Sequence, residues 1–342
     1  MLCYFISKKD FSVLNCVEVA FYDAAHDIDC GGKTQITIAG NPNASDEDFV
    51  ILKDRKEVKF KGIIEKIDNS DGEIKHVVSC LEIERCFDRK IVLSDVEIIK
   101  NAGIEDFIAH TIKKYFSESG DSFIDMNYIE CDVLTHTPIA AKPSAEDGIY
   151  NFKTYLGNVK QNYGIFLDFE FEKDRLHVSI YKKEQAAMQI DTTITDVVSC
   201  KETYKVKVLA KLNVVWFNSL TQAETMRYFY LHSDRSVSEV DEDRIDGTIS
   251  TVRIESETEE EMIQEAKNEF KSNSYSHAIE TDIRINSKLY PQSELYVGHE
   301  VMIKTSAGIK ESIISGISYA DSADVISVKF GILKVTLTDK LK

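Results

Sequence analysis

The chain has 342 residues, 43% of them hydrophobic, with fifteen glycines and four prolines, so it holds material for two or more domains and no low-complexity linker. Its 58 acidic and 41 basic residues leave a formal charge of −17, and the basic stripe that a phosphate-backbone binder needs is not visible in the sequence. Seven scattered cysteines, odd in number and without a C-x-x-C pair, argue against both a disulfide framework and a zinc site.

The N-terminus, MLCYFISKKDF, has no basic segment leading into a long apolar run, and no apolar run approaches a membrane span; the expectation is synthesis in the cytosol. From about Ile36 to Leu93 the pattern predicts strands. FVILKD and VKFKGIIEKI, joined by a polar turn, predict a hairpin in which Val58 and Phe60 alternate with lysines. Gly62 falls where that alternation breaks, as at a bulge or a close backbone approach. Asn69 to Gly72 supply turn chemistry before a strand over about Ile74 to Ile83.

The period then changes. IEDFIAHTIKKYF places Ile104, Phe107, Ile108, Ile112, Tyr115 and Phe116 on one helical stripe, with Glu105 and Asp106 in the first turn. YNFKTYLGNVKQNYG does the same with Phe152, Leu156 and Val159, and Gly164 is its stop. Strands over about Ile165 to Phe171 and Leu176 to Tyr181 make this middle part α+β.

KLNVVWF and MRYFYLHSDRSVSEV read as strands, followed by a third helix with Ile263, Ala266 and Phe270 on its buried side. Ser256 and Thr258 each precede a glutamate by three residues, Glu259 and Glu261, as in a capping box. The acidic run Glu257 to Glu261 suits the positive end of the helix dipole without a metal or partner. HAIETDIRI, VGHEVMIKT, KESIISGIS and VISVKFG return to short strands. Two stretches then match in the order of their parts. Val50 to Lys53 and Val301 to Lys304 each open a hairpin that runs into Gly-Ile, at Gly62 and Gly316, then an acidic turn and another strand. The reading is one small β-barrel used twice.

Chemistry is sparse. His299-Glu300 lacks the second histidine of H-E-x-x-H, and His26, His110, His136, His177 and His232 have no ligand at metal spacing. In VDEDRIDG the third acidic residue falls one place late and the twelfth position is Val252, which excludes an EF-hand. No P-loop, G-x-S-x-G or G-x-G-x-x-G occurs. Paired carboxylates of a glycosidase type stay open in so acidic a chain. No catalytic, cofactor-binding or metal residue is assigned.

Over nearly the whole length the order of segments resembles that of phage tail hub proteins, the family that includes the baseplate hub and the N-terminal part of tail-associated (tail tip) proteins. DFVILKDRKEVKFKGIIEKID and CFDRKIV resemble the first hub barrel; a helix with YGIFLDFEFEKDRLHVSIYKKE resembles the middle domain; LYVGHEVMIKT, SIISGISYA and ISVKFGILKVTLTDKL resemble the second barrel and its closing segment. The resemblance implies a β-rich α+β fold: a first barrel at 1–98, a mixed region at 99–275 and a second barrel at 276–342. It implies a non-enzymatic homotrimer of a phage or phage-tail-like particle, in which two barrels per subunit meet a six-fold tail tube. The implied partners are the tail tube or distal tail protein, the tape measure protein, and a spike, fibre or receptor-binding protein. Assembly would take place in the host cytoplasm, with no membrane insertion and no sequence-specific nucleic acid. With the LTDK segment so near Lys342, wall-degrading or receptor-binding functions are expected on separate partners. An acidic channel that lets DNA pass is expected from the charge. A wall hydrolase and a β-rich adhesin are the alternatives.

Overall fold

The computed structural model describes residues 1–55, 57–69, 75–92, 103–120, 129–138, 148–172, 175–183, 187–203, 208–232, 236–274, 278–306 and 308–331. The turn read at Asn69 to Gly72 and the closing LTDKL segment therefore fall wholly or mostly outside the described residues. The chain forms two compact units. One comprises Met1–Ala186, Asp282–His299 and Ile314–Val328, the other Ala187–Thr281, Glu300–Ile313 and Lys329–Lys342.

The first unit begins with six strands: β1 (Leu2–Ile6), β2 (Val13–Asp27), β3 (Thr34–Ala39), β4 (Phe49–Asp54), β5 (Glu57–Asn69) and β6 (Lys75–Glu82). Each pairs with two others of the six. The circuit β1-β2-β3-β6-β5-β4 returns to β1, and every pairing is antiparallel. Such closure leaves these strands no free edge where they pair. The continuous apolar run FVIL of β4 is explained by burial on both faces. Phe49 and Ile51 join the core shared with the helices, while Val50 and Leu52 point the opposite way and are also buried.

Next come β7 (Lys90–Val92), α1 (Ile104–Ile112), β8 (Ile129–Val133), β9 (Ile149–Asn151), α2 (Phe152–Tyr163), β10 (Ile165–Glu172) and β11 (Arg175–Lys182). β10 and β11 form an antiparallel hairpin, and β8 adds to β11 in parallel. The helical stripes read in the sequence are the buried faces: Ile104, Phe107, Ile108 and Ile112 of α1, and Phe152, Leu156 and Val159 of α2. After Ile112 the helix widens into a π-type turn, Lys113–Ser117, which still carries Phe116 into the core. There Phe116 meets Phe87 at 5.0 Å between ring centroids, in an edge-on geometry that aromatic pairs favour. Asn151 caps α2 by accepting from Thr154 N at 3.0 Å. Gly164 ends the helix at φ 67°, in the left-handed conformation where a side chain is disfavoured.

The second unit contains β12 (Met188–Asp191), β13 (Val197–Thr203), β14 (Leu209–Asn218), β15 (Ala223–Leu231), β16 (Val237–Ser238), β17 (Thr248–Ser256) and α3 (Glu259–Ser274). Beyond these lie β18 (Ala278–Arg284), β19 (Glu300–Thr305), β20 (Gly308–Ala320) and β21 (Val325–Phe330). The order β16-β15-β14-β17 makes a four-stranded sheet, with β17 parallel to β14. Leu212, Val214, Phe229, Leu231 and Ile254 on one face pack with Met262, Ala266 and Phe270 of α3. Met262 is fully buried, whereas Ile263, assigned to the core by its spacing, lies at its margin. Of the two capping boxes read in the sequence, one forms. Glu261 Oε2 accepts from Thr258 N at 3.4 Å and Glu261 N donates to Thr258 Oγ at 3.3 Å. Ser256 Oγ is engaged otherwise, accepting from Trp216 Nε1 and donating to Thr258 O, each at 2.9 Å.

In this unit β19 pairs in parallel with β12 and antiparallel with the first half of β20. The second half of β20 belongs to the first unit, where Asp23↔Ala320 through Asp27↔Gly316 align it with β2.

Candidate functional site

The two hairpins singled out in the sequence both exist, and both of their second strands, β5 and β20, are thirteen residues long. Their registers differ in detail. Val50 faces Gly62 in the first, and the corresponding Val301 faces Ser312 in the second. Gly316 therefore lies four residues beyond the counterpart of Gly62, and the two glycines do not share a position. Gly62 answers to a local need: a Cβ there would sit 2.3 Å from Phe60 Cε1 and 2.4 Å from Leu81 O. Gly316 faces Asp27 across the β2–β20 ladder instead.

Several of the described histidines are held in local contacts. His299 stacks on Tyr296 at 4.6 Å, and its Nδ1 lies 2.9 Å from Glu294 O. His232 Nε2 lies 2.8 Å from Ser238 Oγ. His136 is 2.8 Å from Asp106, but the hydroxyls beside it, Thr135 and Thr137, both donate to the fully buried Glu105. Glu105 also accepts from Thr137 N at 2.8 Å, so it ties α1 to the segment after β8. In VDEDRIDG, Asp241 pairs with Arg244 at 3.1 Å, and Asp243 has φ 58° within a turn. Among the described residues no group of three or more His, Cys, Asp and Glu side chains is placed to hold a metal.

A set of buried charges lies inside the first unit. Glu82 Oε2 accepts from Asp27 N at 3.0 Å, and Oε1 lies 3.2 Å from His26 Nδ1. Two residues on, Glu84 accepts from Lys160 Nζ of α2 at 3.0 Å. Burial raises the Glu82 carboxyl above its ordinary value, more than the hydrogen bond from His26 lowers it. Burial acts the same way on Glu84, yet Lys160 beside it holds that carboxyl below the ordinary value. Burial alone would lower Lys160; the facing Glu84, with Cys30 and Glu82, raises it instead. These carboxylates face a histidine, a backbone amide and a lysine. The arrangement joins β2, β6 and α2 and resembles a structural clamp more than an acid–base pair. Sequence reading missed it because Glu84 and Lys160 are 76 residues apart.

No family model matches the sequence, and no curated protein matches it. Solved structures do match in shape along the entire chain. A prophage tail protein, gp18, from Listeria monocytogenes aligns over 100% of this chain and 97% of its own, with a TM-score of 0.57 at 11% identity. The fold is that of phage tail proteins. A tail protein from Neisseria meningitidis aligns over 98% of both chains, with a TM-score of 0.55 at 10% identity. A 43 kDa tail protein of prophage MuSo2 from Shewanella oneidensis covers 97% of this chain and 98% of its own, with a TM-score of 0.52 at 13% identity. With identities this low the tail-protein likeness is one of architecture, reaching from the N-terminal strands to β21.

Proposed function

We propose that the protein is a structural hub of a phage or phage-tail-like tail tip or baseplate. In this reading it is a homotrimer that adapts a six-fold tail tube to a central spike or fibre. The observation that carries it is the end-to-end likeness to three tail proteins, with nearly the whole of each neighbour accounted for. The closed six-strand circuit supports a first barrel, and the second hairpin with its equal-length strand supports a second. The division at 1–98, 99–275 and 276–342 belongs to the same proposal. To the second barrel we add β12 and β13, which pair with β19 and β18. Three copies would then present six similar barrels, matching a six-fold tube.

The proposed partners are the tube or distal tail protein, the tape measure protein and a spike or receptor-binding protein, in a particle assembled in the host cytoplasm. The role is non-catalytic, since the buried glutamates described above are occupied by structural partners. A channel lined by spread, hydrated acids would repel DNA and let it pass without adhesion; the effect is modest, because screening confines the repulsion to about 8 Å from the wall. The test is the mass of the purified full chain by light scattering, with particle symmetry by electron microscopy. A three-fold ring is expected. A monomer under assembly conditions, or a ring with a channel lined by lysine and arginine, refutes the reading. Reproducible release of fragments from peptidoglycan, lost on one Asp or Glu substitution, would favour the hydrolase instead.

A further inference from the structure

The two proposed barrels share one order of strands. The first runs β1-β4-β5-β6-β3-β2 and the second β12-β19-β20-β21-β18-β13, so they correspond strand for strand in chain order. The match extends to the entry of each hairpin. Glu47 N donates to Ile64 O at 2.8 Å and Ile64 N to Asp48 O at 2.9 Å; likewise Gly298 N donates to Ile314 O at 2.7 Å and Ile314 N to His299 O at 2.9 Å. Glu47 and Gly298, equivalent in this frame, both have left-handed backbone, at φ 71° and 93°. One orientation differs: β12 is parallel to β19, where β1 is antiparallel to β4.

Within one chain the two strand sets are joined by an antiparallel ladder between β2 and the second half of β20, from Asp23↔Ala320 to Asp27↔Gly316. Ile28 N prolongs it, donating to Ser315 O at 3.0 Å. The junction thus uses the second strand of one set and the fifth strand of the other. The counterpart edges are those of β13, a second strand, and of the second half of β5, a fifth strand. Among the described residues neither edge carries a further strand. β13 pairs with β18 alone, and β5 pairs with β4 up to Ile63 and with β6 on its other side. Burial follows this difference. In β20, Ser315, Ile317 and Tyr319 are 0%, 7% and 8% exposed under the ladder, whereas Glu65, Lys66 and Asp68 in the same half of β5 are exposed.

We infer that β13 of one copy pairs antiparallel with residues 65–69 of β5 in the next copy, repeating between chains the ladder that β2 and β20 form within one. The occupant of each edge is thereby set by the chain's own precedent. Because a second strand always meets a fifth, the contact is heterologous, and a heterologous contact closes into a ring when the rotation permits. Three copies then hold six strand sets with six like junctions, three within chains and three between them. Strand addition draws on main-chain hydrogen bonds, so the charged side chains of β5 do not bar it. Glu65, Lys66 and Asp68 instead blunt that edge against indiscriminate pairing before assembly. This contact rests on the proposed homotrimer and names the strands that join its copies.

The test follows amide exchange by mass spectrometry in the full-length wild-type protein, as the assembled trimer and as the dilute monomer, with light scattering to define each state. The expected result is exchange about tenfold or more slower in the trimer over residues 65–69 and 197–203, with residues 23–27 and 316–320 unchanged, since their ladder is already made. A second arm uses the exposed Cys200 of β13. Asp68→Cys, in a chain whose other exposed thiol is removed by Cys16→Ser, is treated with a short bis-maleimide. Covalent dimers and trimers that disappear on Cys200→Ser support the proposal. A trimer with unchanged exchange at either segment, or a link that survives Cys200→Ser, overturns the inference and leaves the trimer standing. A monomer at every concentration overturns both.

Discussion

Replacing Lys160 by methionine keeps the length of its stem in the core and removes the ammonium. Glu84 is then left in place, 14% exposed, without the cation that stands 3.0 Å from it. Removing one partner of a buried pair costs about 3–5 kcal/mol when the remaining charge stays ionised. The lower end applies at neutral pH, because Glu84 can escape part of the cost by taking up a proton. At about 2–4 °C per kcal/mol for a body of this size, the transition of Lys160→Met falls on the order of 6–12 °C. The pH dependence carries a definite sign. In the wild type, Glu84 has a folded pKa below its unfolded value, so its contribution is present at neutral pH and fades as pH falls through the folded value. Lys160 lies above its ordinary value, so its contribution is present at neutral pH and lost only as pH rises through the strongly alkaline range. In the variant the lysine is gone and burial, the largest influence on Glu84, outweighs the backbone hydrogen bond and His26 that still favour the anion; its folded pKa rises above the unfolded one, and its contribution improves as pH falls. The gap between wild type and variant is thus widest near pH 8 and narrows toward about pH 4.5. Urea unfolding at both pH values measures it. A gap under about 1 kcal/mol near pH 8, or one unchanged at the lower pH, refutes the reasoning. Glu84→Gln in the same chain recovers most of the loss, since the orphaned charge is gone.

Gly62→Ala costs about 2 kcal/mol or more in the same assay, because the new methyl meets the fixed carbonyl of Leu81 as well as the Phe60 ring. A loss below about 0.5 kcal/mol would show that the strand yields easily. Glu105→Ala leaves Thr137 N and two threonine hydroxyls without their acceptor, and costs about 2–3 kcal/mol. Faster amide exchange at Thr137 in that variant would locate the loss; unchanged exchange would contradict it.

Local patterns were legible wherever one face of an element is buried. The FVILKD hairpin, the stripes of α1 and α2, and the Thr258–Glu261 cap all follow from spacing within a few residues. The N-terminal strands were not read as such. In β2, Val13, Leu14, Cys16, Glu18, Ala20 and Phe21 are all exposed, so its alternation carries no clear inward face over that half. The circuit of six strands depends on β1 meeting β4 some fifty residues later, which no local period encodes. The Glu84–Lys160 pair was missed because the turn after β6 and helix α2, 76 residues apart, meet only in the folded core. The supposed equivalence of Gly62 and Gly316 shows the opposite error. A shared Gly-Ile pair suggested a shared position, but the register follows the hairpin turn and places Ser312, not Gly316, opposite Val301.

Strand β20 has a consequence for the order of events during synthesis. The first unit is interrupted after Ala186 and needs Ile314–Val328 to be complete. At about 5–20 residues per second, the ribosome takes about 6–25 s to make the chain between Ala186 and Ile314. Throughout that interval the Asp23–Asp27 edge of β2, which will receive Ala320 to Gly316, has no mate. An unmated edge invites the wrong strand, including that of a neighbouring nascent chain. His26, Asp27 and Glu82 cluster at that edge, and their polar groups make it a poor template for an apolar strand while it waits.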